Sequence, residues 1–87
     1  MIRVGVVGDF NSAFESHQAT GESVRLAGHA LGVEATVEWL PTAEVSEARL
    51  RGYDALWASP GSPYRSFEGM LQAIRFAREQ RRPFLGT

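Results

Sequence analysis

Asp54-Ala55-Leu56-Trp57-Ala58-Ser59-Pro60-Gly61-Ser62-Pro63 is the stretch that decides the fold. Its first half is apolar and short, the signature of a buried strand. Its second half holds two prolines and a glycine, so the chain must turn there. Phe67, Met70, Leu71, Ile74 and Ala77 follow at helical spacing, and Phe84-Leu85 begins a further strand. Upstream, residues 2–7 form an apolar, β-branched run closed by Gly8-Asp9, another buried strand.

The middle of the chain completes the alternation. Ser12-x-x-Glu15 has capping-box spacing, which predicts a helix start near Ser12. Phe14, His17, Val24, Ala27 and Leu31 supply an amphipathic stripe, weakened locally by Gly21 and Gly28, and Gly32 is suited to end the helix. Val33, Ala35, Val37 and Trp39 then alternate with Glu34, Thr36 and Glu38, as in a half-exposed strand toward a sheet edge. Pro41 closes it, and residues 42–52 read as one or two helical turns. The order β-α-β-(α)-β-α-β predicts a flavodoxin-like α/β fold: a parallel sheet of strand order 2-1-3-4, helices on both faces and right-handed crossovers. Residues 1–87 form one domain in this reading. A fourth strand at the end of the order leaves its edge unpaired, which predicts a homo-oligomer formed through that edge.

Composition narrows the function. The net charge of −1 argues against bulk binding to nucleic acid. There is no cysteine, so there is no disulfide, thiolate metal site or thiol nucleophile within these residues. All nine basic residues are arginine, which excludes a Walker-type phosphate loop and lysine Schiff-base chemistry. Arg65, Arg75, Arg78, Arg81 and Arg82 outnumber Glu68 and Glu79 after residue 60, as suits a solvated helix with a cation-rich end. No leader-like segment and no long apolar run is evident, so no membrane partner is expected and the cytoplasm is the default compartment. No cofactor or metal is expected.

Three loops follow strands on one edge of such a sheet: residues 8–16, residues 59–65 and residues 86–87. Ligands bind at that edge in open α/β folds. Pro60 and Pro63 fix two φ angles, and Gly61 permits close backbone approach. The N–H groups of Gly61 and Ser62 then suit an oxyanion hole, the alternative being a rigid strand-to-helix turn.

A longer pattern bears on that choice. Leu50-x-Gly52-Tyr53-Asp54-Ala55-Leu56 runs through Pro60-Gly61 to Arg65-x-x-Glu68-Gly69, then Ala73-Ile74-Arg75-Phe76-Ala77-Arg78-Glu79 and Pro83-Phe84-Leu85-Gly86. This resembles the glutamine amidotransferase domain of CTP synthase, of the class I, triad-bearing type. Val4-Gly5-Val6-Val7-Gly8, Ala27-Gly28 and Val37-Glu38-Trp39 agree with it as well. Ser62-Pro63-Tyr64 stands where the family has Gly-Phe-Gly, in a loop one residue shorter. The chain is more similar to a stand-alone, CTP-synthase-related group, some members of which are selenoproteins.

The resemblance implies L-glutamine as ligand of the full-length form, and Gly61, Ser62, Pro63 and Tyr64 as oxyanion and substrate-binding residues. Arg65 and Glu68, at the start of the last helix, are read separately as a pair or a brace of the loop, the alternative being a surface pair. The resemblance also implies a Cys or selenocysteine nucleophile directly after Thr87 and His and Glu partners further on. On this expectation the 87 residues are the N-terminal half of the domain and inactive alone. The alternative is a non-catalytic dimerisation or protein-interaction module of the same fold. A nucleotide or phosphate binder using residues 8–11 rests on Gly5-x-x-Gly8 alone.

Single residues are read more plainly. His17 is expected as a hydrogen-bonded, partly buried helix residue and His29 as a surface one. Trp39 and Trp57 are core or interface anchors. Asp9 and Asp54 do not make a phosphoacceptor site, because Asp54 opens its strand and lysine is absent. The Tyr64 hydroxyl lines the cleft or faces solvent.

Overall fold

The computed structural model describes residues 1–59 and 64–86. Four strands form one parallel sheet: β1 (Ile2–Val7), β2 (Ala35–Leu40), β3 (Ala55–Ala58) and β4 (Phe84–Gly86). Their order is β2-β1-β3-β4, with every pairing parallel. This is the flavodoxin-like arrangement expected from the sequence. The helices are α1 (Glu15–Leu31), α2 (Glu47–Leu50) and α3 (Phe67–Glu79), with a 3-10 turn at Thr42–Glu44.

Register sorts the two faces. Val6 lies opposite Trp39 on one side and Trp57 on the other. These side chains share the face that α1 covers, where His17 stacks against Trp39 with ring centroids 4.9 Å apart. Val7 lies opposite Leu40 and Ala58, on the other face. There they join Leu50, Tyr53, Leu56, Met70, Ala73, Phe76 and Ala77 in the main core. On the same face the Tyr53 hydroxyl donates to Glu38 at 2.9 Å, and the Arg3 guanidinium to the other carboxylate oxygen at 3.1 Å. The Tyr53 bond, more than the arginine charges, holds the Glu38 carboxyl below its usual range. Burial, then the Glu38 bond and charge, push the Tyr53 phenol up.

Two sequence expectations shift. The α3 residues turned inward are Gly69, Met70, Ala73, Phe76 and Ala77. Phe67, Leu71 and Ile74 lie one flank away and are exposed. A helix advances about 100° per residue, so an apolar stripe wider than the contact leaves its margin outside. Likewise α1 buries His17, Thr20 and Gly28, whereas Leu31 is 77% exposed. The helix also begins at Glu15 after Phe14, with no side-chain cap, in place of the Ser12 capping box. Asn11 supplies the local turn instead: its side chain accepts from Ala13 N–H at 2.9 Å and its carbonyl from Phe14 N–H at 3.0 Å. An Asx turn thus competes successfully with the cap.

The helix α3 is capped by Gln80, and the next residue, Arg81, has a φ of 55°, where glycine is usual. Arg82 N–H returns to the Ala77 carbonyl at 2.9 Å, and its guanidinium to the Tyr53 carbonyl at 2.7 Å. The basic end of α3 is therefore partly a structural clamp.

Leu56 is 2% exposed and central to the core. Leu56→Ala is expected to cost about 2–5 kcal/mol in urea denaturation. Leu71→Ala, on the outward flank, is expected to change stability by less than about 1 kcal/mol. Equal costs would contradict this assignment of faces.

Candidate functional site

The segments after β1 and β2 and the start of α3 meet at one edge, and Asp9 joins them. It follows β1 by two residues. Its Oδ1 accepts the Thr42 N–H at 3.0 Å, and its Oδ2 accepts the Thr42 hydroxyl at 2.8 Å and the Arg65 N–H at 2.8 Å. Thr42 is buried and sits directly after Pro41, where β2 has ended. Its Oγ1 in turn accepts the Ser66 N–H at 2.9 Å. Ser66 is the N-cap of α3, its hydroxyl oxygen accepting from Gly69 N–H at 3.0 Å. Three segments are thus tied by one carboxylate and two hydroxyls.

Gly69 explains why α3 can lie so close. A Cβ there would stand 1.9 Å from the Thr42 carbonyl oxygen, an impossible contact. The Glu68-Gly69 pair in the sequence therefore marks a helix start pressed onto the backbone after β2.

The turn itself is held at its flanks. Gly61, Ser62 and Pro63, the residues expected to bind an oxyanion and substrate, lie outside the described residues. Before them, Ser59 N–H donates to the Val7 carbonyl at 3.0 Å. Ser59 is fully buried against Gly8, where any Cβ would stand 1.9 Å from its Oγ. After them, the Tyr64 hydroxyl donates to the Ser59 carbonyl at 2.6 Å. That hydroxyl therefore has a partner at the end of β3 and does not simply face solvent. Arg65 hydrogen-bonds Asp9 through its backbone N–H, and its guanidinium adds only its charge. Among the described residues no ion pair joins Arg65 to Glu68, and Glu68 lies on an open polar surface with Leu71, Gln72 and Arg75.

Electrostatics support the carboxylate form of Asp9. Burial raises its pKa. Hydrogen bonds from the Arg65 N–H, the Thr42 hydroxyl and the Thr42 N–H, with the Arg65 charge, outweigh burial and hold it below the ordinary aspartate value. Sequence reading set Asp9 aside and did not single out Thr42 at all. The one available signal was an Asp just past the first strand, at the edge where ligands bind.

Beside this edge lies an aromatic cluster. Phe10 packs edge-on to Trp39 at 5.0 Å, and His17, buried as expected, packs between Phe14 and Trp39. The His17 Nδ1 accepts the Asn11 N–H at 2.9 Å, which fixes the loop after β1 to α1. Among the described residues no group of three or more metal-ligating side chains occurs, and no helix is long and apolar enough to cross a membrane.

No protein-family model matches the chain. Individual relatives do. CTP synthase of Halalkalibacterium halodurans is 32% identical over 90 residues, covering 99% of this chain and 17% of that protein. CTP synthase of Staphylococcus epidermidis is 32% identical over 89 residues, with 98% and 17% covered. CTP synthase of Methanoregula boonei is 40% identical over 65 residues, covering 75% of this chain and 12% of the relative. The Trypanosoma brucei CTPS glutaminase domain, solved with bound acivicin, shares the fold with a TM-score of 0.84 at 20% identity, covering 99% of this chain and 36% of that one.

Fold and sequence together define the class, a flavodoxin-like α/β chain with the fold of the CTPS glutaminase domain. Within it, the chain belongs with the CTP synthase family and matches part of that family's glutaminase domain. It spans about a sixth of the length of the CTP synthases it matches, 17% in the first two.

The Asp9 geometry fixes a pH dependence. A carboxyl with a lowered folded pKa contributes stability above the unfolded value of about 3.9, and loses it as pH falls through the folded value. Between about pH 6 and about pH 3, denaturation of Asp9→Asn is therefore expected to show a smaller loss of stability than the unsubstituted chain. Equal losses would mean that Asp9 is not held as an anion.

Proposed function

We propose that this chain contributes the oxyanion side of a CTP-synthase-type glutaminase site, acting on the side-chain amide of L-glutamine. Residues 1–87 are the N-terminal half of that domain in this reading. The observation that carries it is the kinship with CTP synthases along 98–99% of the chain. The strand ends gathered at the Asp9 edge agree with it. Gly61 and Ser62 N–H groups face the developing oxyanion, and Pro63 and Tyr64 shape the adjoining wall. Arg65 belongs to the brace behind the turn through its N–H, whereas Glu68, expected to share that role, stands on the open surface.

The chemistry needs a nucleophile that these residues do not contain, since the chain has no cysteine. A Cys or selenocysteine after Thr87, with His and Glu partners beyond it, completes the reading. The thiolate or selenolate attacks the amide carbon, and the carbon–nitrogen bond breaks as the protonated amine leaves as ammonia. Water then cleaves the glutamyl ester of sulfur or selenium to give glutamate. The 87 residues alone are inactive on this reading, and the compartment is the cytoplasm.

A second reading has its own observation. Leu85 on the outer strand β4 is 51% exposed and Phe84 38%, on an edge with no further strand among the described residues. That favours self-association by edge pairing.

Two experiments separate these. Glutaminase activity is expected in a form extended through its own downstream reading frame with a cysteine directly after Thr87, and not in the 87-residue chain. Activity in neither would remove the enzymatic reading. Light scattering of the 87-residue chain is expected to show a dimer that Leu85→Arg converts to monomer. A monomer at the outset would remove the edge-pairing reading.

A further inference from the structure

We propose that Asp9 is a positioning residue for the turn between β3 and α3, with Thr42 as its relay. The inference rests on the glutaminase reading above, and adds two residues to it. The turn's entry and exit are both referred to the end of β1. At the entry, Ser59 N–H is bonded to the Val7 carbonyl at 3.0 Å. At the exit, Arg65 N–H is bonded to Asp9 at 2.8 Å. Ser66 N–H, the next donor along, reaches Thr42 Oγ1 at 2.9 Å, and that hydroxyl donates its own proton to Asp9 at 2.8 Å.

The chemistry of the anchor is specific. Asp9 accepts three hydrogen bonds on two oxygens. Asparagine has one acceptor oxygen and would turn an NH2 group toward an existing donor. Thr42 must both donate to Asp9 and accept from Ser66, which only a hydroxyl can do at that place. Serine can therefore replace it and valine cannot. The consequence for chemistry is positional. Oxyanion donors act only when they stand at the right distance from the developing charge, so a shift of the turn's exit moves the donors without touching substrate.

The first test is amide hydrogen exchange on the 87-residue chain. In Asp9→Asn and Thr42→Val, exchange at Arg65 and Ser66 is expected to quicken by at least about tenfold, with the β1 amides unchanged. Thr42→Ser is expected to restore protection. Unchanged exchange at Arg65 and Ser66 in both variants would overturn the proposal. The second test uses the extended, cysteine-bearing form. Asp9→Asn is expected to lower kcat on the order of 10²-fold with KM little changed, and Thr42→Ser to keep most of the activity. A kcat equal to the parent's would overturn the positioning role even with exchange altered. If the parent form hydrolyses no glutamine, the glutaminase reading fails by itself. Exchange then decides whether Asp9 and Thr42 hold the turn.

Discussion

The central strand β1 is hydrogen-bonded on both of its edges, with Val7 opposite Leu40 on one side and Ala58 on the other. Parallel pairing of three strands in that register brings their carboxyl ends to one level. Each end then hands the chain to a different segment: the Asn11 turn after β1, Pro41-Thr42 after β2, and Ser59 after β3. Those segments are distant in sequence and adjacent in space. What remains is to satisfy their backbone groups, because N–H groups at buried strand ends cannot be left unpaired without cost.

Asp9 answers much of that need. A carboxylate accepts several donors at once and at higher strength than a neutral acceptor. It sits just ahead of the amino end of α3, where an anion is favoured by the helix dipole, typically by about 0.3–1 kcal/mol. Thr42 needs burial to stay in line, and Gly69 supplies it by letting α3 lie on the Thr42 backbone. Removing any one of the three leaves the other two with polar groups or space that nothing else fills. The edge is in that sense one unit.

Strand identities and order were legible because β-branched and apolar runs such as residues 2–7 and 55–58 carry a local signal. The helix faces were less so. Phe67, Leu71 and Ile74 have helical spacing, yet so do Met70, Ala73 and Ala77, and only packing against β3 and Thr42 selects the second set. The cap of α1 went astray for a related reason: Ser12 and Asn11 both offer oxygens to the same turn, and Asn11 took it. The Asp9 network was illegible because its bonds span 33 and 56 residues, and no local pattern encodes a contact of that separation. The Tyr64 bond to Ser59 spans five residues, but it depends on a turn whose shape propensity does not specify.

The two functional readings place their demands on different parts of the molecule. The glutaminase reading uses the carboxyl edge, where Asp9, Thr42 and Ser66 are joined by hydrogen bonds. The association reading uses the faces and the outer strand. There Ile2, Val24, Ala27, Leu31 and Trp57 line an apolar groove of about 370 Å³ beside α1, and Leu85 stands open on β4. Exposed apolar area of this kind is costly in water at about 25 cal/mol per Å², so covering it stabilises whatever assembly does so. Covering a face leaves the Asp9 edge free, since none of the groove residues contributes to its hydrogen bonds. The two readings are therefore compatible in one chain: the association reading assigns Leu31 and Leu85 to assembly, and the positioning proposal assigns Asp9 and Thr42 to the turn.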